Sequence, residues 1–196
     1  MPVVGLTGCP GAGKSVVAGI FRDLGAAIES GDDIGREVVE TNESIRNELA
    51  DTFGEDVLDE EGNLLRRKVA RIAFSSNSNL QKLNRIVHPY LLLELKKRID
   101  NHRENDPDKL LVVDAALIFE WGIADWFDKT ITVYADYWLR LKRLQSSGLT
   151  EREAVDRTES QIEQDEKIKR ADYTIENNRM LKDLEQAVKK LYKQIS

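Results

Sequence analysis

Eight residues near the start of the chain have the types and spacing to hold a phosphate. Gly8-Cys9-Pro10-Gly11-Ala12-Gly13-Lys14-Ser15 fits G-x-x-x-x-G-K-[ST]. Glycines let backbone N–H groups turn inward around phosphate oxygens, and the helix that follows offers the positive end of its dipole. In this pattern Lys14 reaches the β- and γ-phosphates of a nucleotide. The Ser15 hydroxyl holds Mg²⁺, and Val16 continues the loop into the helix. Cys9 reads as a small loop residue, because no His lies near it in sequence to activate a thiol.

The motif needs a strand before it and a helix after it. Residues 2–7 form a short apolar run ending at glycine, the signature of a buried parallel strand. Val17, Ile20, Phe21 and Leu24 then recur at helical spacing. Further strands are expected at 25–28, 110–114, 130–134 and 173–175. Helices are expected over 31–53, 66–104 with a bend at Pro89, 137–170 with a break at 146–148, and 179–194. Strands alternating with helices indicate an α/β fold, a three-layer sandwich around a mostly parallel five-stranded sheet. Residues 55–107 lack a clear strand and read as a helical insertion. The core then comprises 1–54, 108–137 and 171–196, with 138–170 as a lid.

Composition narrows the function. The 29 Lys and Arg against 35 Asp and Glu give a formal charge of −6, which argues against a general nucleic-acid or membrane-surface binder. One cysteine excludes an internal disulfide, and one Cys with two His cannot form a common zinc site. The N-terminus has no signal-peptide pattern, and no apolar run is long enough to span a membrane, so the expected location is the cytoplasm. No Asn-Lys pair exists to read guanine, although Asp32-Asp33-Ile34-Gly35 fits D-x-x-G. No L-S-G-G-Q segment exists either. A small-molecule kinase suits the chain better. Asp32, after the second strand, is placed to accept a proton from an acceptor hydroxyl, or else caps a helix. Asp114 ends the 110–114 strand, where it would hold Mg²⁺ directly or through water, or be an ordinary polar strand end.

Several segments together resemble the dephospho-CoA kinase family. They are Gly5-Leu6-Thr7-Gly8 leading into the loop, and Ser30-Gly31-Asp32-Asp33-Ile34-Gly35-Arg36-Glu37-Val38-Val39. Phe53-Gly54 and Leu58-Asp59-Glu60-Glu61-Gly62-Asn63-Leu64 follow, then Leu83-Asn84-Arg85-Ile86-Val87-His88-Pro89 and residues 114–120. The series ends with Gln161, Lys167, Ala171-Asp172, Ile175 and Asn177. The resemblance implies ATP-dependent phosphorylation of the ribose 3′-hydroxyl of dephospho-CoA by a P-loop kinase fold using Mg²⁺. By position it makes Asp32 the acceptor-side base. It places Arg36, Arg66 and His88, with Asp114, toward the acceptor. Asn177 falls in the loop before the last helix, near adenine.

Departures from the family pattern occur at Ser30, Ala116 and Val16, and in the Cys9-Pro10-Gly11-Ala12 stretch. Ser146 stands where a lid arginine is usual, leaving Arg140, Arg143 or Arg157 to neutralise the transferring phosphoryl group. Trp121, Trp126 and Trp138 are expected in packing rather than stacked on a base. The expected partners are ATP and dephospho-CoA, bound by a monomer or weak homo-oligomer. Two other readings remain open: a P-loop kinase for another nucleoside, nucleotide or metabolite, and a nucleotide-binding regulator without transfer.

Overall fold

A computed structural model describes residues 1–73 and 75–196, and of residue 77 the backbone only. Its chain forms two compact units, Met1–Ser30 with Ile99–Ser196, and Gly31–Arg98. Position 74, within the expected 66–104 helical stretch, lies outside the described residues.

The first unit is built on a five-stranded sheet: β1 (Val3–Thr7), β2 (Ala27–Ser30), β3 (Leu111–Asp114), β4 (Lys129–Tyr134) and β5 (Tyr173–Glu176). All four pairings are parallel, in the order β2-β3-β1-β4-β5. The sheet is therefore wholly parallel rather than mostly so. Central β1 is buried at every residue, as a strand covered on both faces must be. The strand order reverses at β1, and open α/β sheets bind ligands at such a reversal, beyond the carboxyl ends of the strands.

Helix α1 (Lys14–Asp23) and the closing C-terminal helix (Leu181–Ile195) cover one face. The latter presents Leu184, Val188, Leu191 and Ile195, spaced three or four residues apart. They join Val17, Phe21, Val4, Leu6, Val112, Ile131 and Val133 in one core. A fully buried side chain of this size contributes about 1.5–3 kcal/mol. The second strand begins at Ala27, two residues later than the sequence suggests. Gly25, at φ +100°, ends α1 in a left-handed turn, with its N–H donating to Arg22 O (2.9 Å) and Ala26 N–H to Phe21 O (3.0 Å). Strand geometry starts only past that turn.

In the second unit, α2 (Gly31–Thr41) and α3 (Glu43–Phe53) divide the expected 31–53 helix. The break is Asn42, whose side chain accepts from Ser44 N–H (3.0 Å) and caps α3. Helix α4 (Arg66–Ala73) follows, and α5 (Asn77–Asn105), whose residues from Ile99 on belong to the first unit, continues through Pro89. Ala50, Val57 and Val69 form the centre of a small core with Phe53, Leu64, Ile72 and Leu83. One antiparallel bridge joins Leu58 to Leu64.

The expected 137–170 stretch breaks at the predicted place into α6 (Tyr137–Ser146) and α7 (Glu151–Glu159), then α8 (Gln164–Arg170). Numbered in chain order, Leu181–Ile195 is α9. Trp138 corrects an expectation: it is 77% exposed, not packed. The buried face of α6 carries Arg140, Leu141 and Leu144, which turns Trp138 outward against the edge of Tyr137 (centroids 5.3 Å apart). Among the described residues no helix is long and apolar enough to cross a membrane.

Asp172 fastens the start of β5 to β4. It accepts from Thr130 N–H (2.8 Å), Thr130 Oγ1 (3.0 Å) and Lys129 Nζ (3.3 Å). Desolvation opposes its ionisation, but these donors outweigh it and hold the carboxyl below the usual aspartate range. A depressed acid stabilises the fold above its unfolded pKa, and that stability is lost as pH falls through the folded value. Asp172→Asn should therefore lower stability by about 1 kcal/mol near neutrality. The value sits at the low end because the side chain is 41% exposed. Thermal melts should show the gap between wild type and variant closing on acidification below about pH 4. A gap independent of pH would exclude the charge as its source.

Candidate functional site

The Gly8–Ser15 segment leaves the carboxyl end of β1 and opens α1. Close backbone approach explains its glycines. A Cβ on Gly8 (φ +149°) would sit 2.2 Å from Val133 O, and one on Gly11 (φ +76°) 2.5 Å from Arg140 O. A Cβ on Gly13 (φ +96°) would meet Asn177 Nδ2 at 2.2 Å. Any larger residue is excluded at all three, by both φ and space. Gly13 caps α1 without a side-chain hydrogen bond, and the first turn carries no acidic residue. Such an uncapped helix start favours an anion. Lys14 begins the helix, while Ser15 and Val16 are exposed beside it.

The outward side of the loop is tied down by two residues that sequence reasoning assigned elsewhere. Asn177, only 6% exposed, donates from Nδ2 to Ala12 O (2.8 Å). Arg143 donates from Nη1 to Gly11 O (3.3 Å) and Ala12 O (3.4 Å), and from Nη2 to Asn177 O (2.9 Å). These bonds fix the Gly11 and Ala12 carbonyls, while the Ala12 N–H donates within the loop to Cys9 O (3.1 Å). Asn177 does lie in the loop before the last helix, anchored further by its own N–H to Tyr134 O (2.8 Å). Its neighbour Asn178 pairs with Asp136, accepting from Asp136 N–H (2.7 Å) and donating to Oδ1 (2.9 Å). Burial lowers the Arg143 pKa, though it stays a cation in any ordinary buffer.

Asn177→Ala should loosen the loop without removing a group that the motif assigns to phosphate. We expect a stability loss of about 1–2 kcal/mol, a fall in melting temperature of roughly 2–8 °C, and a KM for ATP raised more than kcat is lowered. An unchanged KM and melting temperature would contradict the anchoring role.

Behind the loop lies a buried polar network. Lys167 is fully buried, and its ammonium donates to Ala116 O (2.6 Å), Gln161 Oε1 (3.1 Å) and Glu120 Oε1 (2.8 Å). Thr7 Oγ1, at the end of β1, donates to the same Ala116 carbonyl (2.8 Å). Ile162 N–H also reaches Glu120 Oε1 (3.3 Å). A buried lysine with three acceptors fixes the chain after β3 against the chain before α8. Burial pushes the Cys9 thiol up, against the pull of the Lys167, Arg140 and Lys14 cations, and so keeps it a protonated, inert thiol.

The other candidates occupy separate places. Asp114 closes β3, paired in register with Leu6 of β1 and Ser30 of β2. It and Ser15 offer hard oxygen donors, the type Mg²⁺ prefers. Mg²⁺ needs only one or two protein oxygens when phosphates and water complete its shell, so this sparse donor set fits the ion. Asp32, Arg36, Arg66 and His88 all belong to the second unit. Asp32 is exposed in the first turn of α2 and its carbonyl accepts from Arg36 Nε (3.2 Å). Arg36 also pairs with Asp33, and Arg66 with Glu40. His88 is half-buried on α5, and that burial lowers its pKa and favours the neutral ring. Of the three lid candidates, Arg157 is exposed on α7, Arg143 is committed to carbonyls, and Arg140 is buried on α6.

Residues 2–183 match the dephospho-CoA kinase family. A dephospho-CoA kinase of Aquifex aeolicus (strain VF5) is 37% identical over 196 residues, covering 100% of this chain and 98% of that one. Among solved structures, TT1252 from Thermus thermophilus aligns with a TM-score of 0.79 at 31% identity, over 99% of this chain and 97% of its own. Dephospho-CoA kinase from Campylobacter jejuni aligns with a TM-score of 0.75 at 26% identity, over 99% and 96%.

Proposed function

The chain belongs to the dephospho-CoA kinase family, and from that premise we propose that it transfers the γ-phosphoryl group of ATP to the ribose 3′-hydroxyl of dephospho-CoA. The products are coenzyme A and ADP, and the step completes coenzyme A synthesis. The observation that carries the reading is the phosphate loop at the carboxyl end of β1, in a chain matched to the family almost end to end.

In-line phosphoryl transfer asks the protein for positioning and charge stabilisation more than for covalent chemistry. The inward loop amides and Lys14 hold the β- and γ-phosphates. Ser15 and Asp114 supply the oxygens for Mg²⁺, which neutralises charge on the phosphates when bound. Asp32 orients the acceptor hydroxyl and takes its proton. Arg36, Arg66 and His88 bind the rest of the acceptor. Asn177 and Arg143 keep the loop in its phosphate-facing form, and residues 138–170 exclude water, the competing acceptor.

The test incubates the purified protein with Mg·ATP and a panel of acceptors: dephospho-CoA, adenosine, nucleoside monophosphates and shikimate. Phosphorylation of dephospho-CoA alone is the expected result. Transfer to another acceptor would reassign the substrate, and ATP binding with no transfer to any would make the chain a nucleotide-binding regulator.

A further inference from the structure

We propose that Arg140 is a phosphate-binding residue of the nucleotide site, a cation held ready on α6 for an oxygen of the bound polyphosphate. Arg140 is 5% exposed, and two of its guanidinium nitrogens, Nε and Nη1, are buried with no hydrogen-bond partner. Among the described residues no carboxylate forms an ion pair with it. The face of the Tyr137 ring, 5.5 Å away, is a weak substitute. By contrast buried Lys167 is satisfied by three oxygens, and half-buried Arg143 by three carbonyls. An unpaired buried charge is costly, and its retention calls for a partner that arrives later.

Position identifies the partner. The Arg140 backbone touches the phosphate loop itself, since its carbonyl and Cα lie 2.5 and 2.9 Å from where a Gly11 Cβ would be. Its charge is felt, with that of Lys14, at the Cys9 thiol inside the loop. The incoming group is therefore an anion seated on this loop. A planar guanidinium that never loses its proton suits phosphate oxygens better than any neutral acceptor. Glu120 Oε2 is also buried without a partner, which makes an internal rearrangement the rival explanation.

The inference rests on the loop's binding ATP, and the experiment separates the two. Calorimetric titrations compare ATP, ADP and adenosine on wild type, Arg140→Met and Arg140→Lys. Arg140→Met should weaken ATP and ADP by roughly 10- to 100-fold and leave adenosine unchanged, with Arg140→Lys between. Ligand-free Arg140→Met should melt no lower than wild type, because an unpaired charge is gone. Equal ATP affinity, an equal loss for adenosine, or a lower melt with unaltered binding would overturn the proposal in favour of a structural arginine. A wild type that binds neither ATP nor ADP would overturn the nucleotide reading and Arg140's role with it. Should the variants fail to fold, the ¹⁵N resonance of Arg140 Nε in wild type decides. It should shift with ADP and not with adenosine, and no shift with ADP overturns the proposal.

Discussion

Lys14→Ala is expected to lower kcat by at least about 10³-fold while the protein stays folded. The size of the effect follows from how few cations this acidic chain spends on its nucleotide. The formal charge is −6, and the loop supplies backbone dipoles rather than a basic surface. Arg143, one of the three lid candidates, holds the Gly11, Ala12 and Asn177 carbonyls. Lys14 is then the one side-chain cation that the motif itself aims at the β- and γ-phosphates, where charge moves in the transition state. Arginine at position 14 should not restore the rate, because the loop is sized by glycines that tolerate no displacement. Turnover is measured by coupled ADP release, and folding by thermal melt. Near-wild-type turnover in a folded Lys14→Ala protein would remove the loop from the chemistry.

Much of this arrangement is legible in the sequence because its determinants are local. The apolar runs at 2–7, 110–114 and 130–134 are short and rich in β-branched residues, which favours buried strands, and each becomes one. Gly8, Gly11 and Gly13 announce tight backbone approaches, and each proves to have a neighbour where a Cβ would be. What fails to show is what depends on side chains distant in sequence. Nothing local in residues 137–146 says that Arg143 will bind loop carbonyls about 130 positions away while Nε and Nη1 of Arg140 find no hydrogen-bond partner among the described residues. Asn177 is placed near adenine by the family resemblance alone, and nothing local in its sequence shows that its amide donates to the Ala12 carbonyl of the loop. Lys167 sits in a strongly charged helix, where a lysine is normally solvated. Only the fold puts Glu120, Gln161 and the Ala116 carbonyl around it. Trp138 misleads in the other direction, since aromatic residues are usually packed and this one faces solvent.

The acidic balance also gains a physical meaning. Carboxylates outnumber cations overall, yet the first turn of α1 carries none of them. Excluding negative charge from that helix start matters as much as adding positive charge, because the amides there act through a dipole that a carboxylate would quench. The exclusion is confined to the helix start, since Glu120 is near enough to act on the Cys9 thiol of the loop. The net negative charge discourages nonspecific polyanions.

Asp32→Asn is expected to reduce kcat by about 10²–10⁴-fold with ATP affinity retained, whereas Asp33→Asn should cost only a few-fold. The two carboxylates are adjacent but differently occupied. Asp33, in the first turn of α2, pairs with Arg36 three residues on, which commits it to local structure. The Asp32 side chain makes no hydrogen bond or ion pair among the described residues, and only its carbonyl is engaged, by Arg36 Nε. An uncommitted carboxylate is what a general base requires. Asp32 follows Ser30, whose register partner is Asp114 at the carboxyl edge of the sheet. Asparagine keeps the size and can still orient a hydroxyl, but it cannot take a proton, so the loss isolates the proton-transfer contribution. The measurements are steady-state rates with dephospho-CoA and a separate ATP titration on each folded variant. If Asp33→Asn were the slow variant and Asp32→Asn retained full turnover, the base would be the neighbouring carboxylate. If both lost ATP binding as well, α2 would be serving the nucleotide rather than the acceptor.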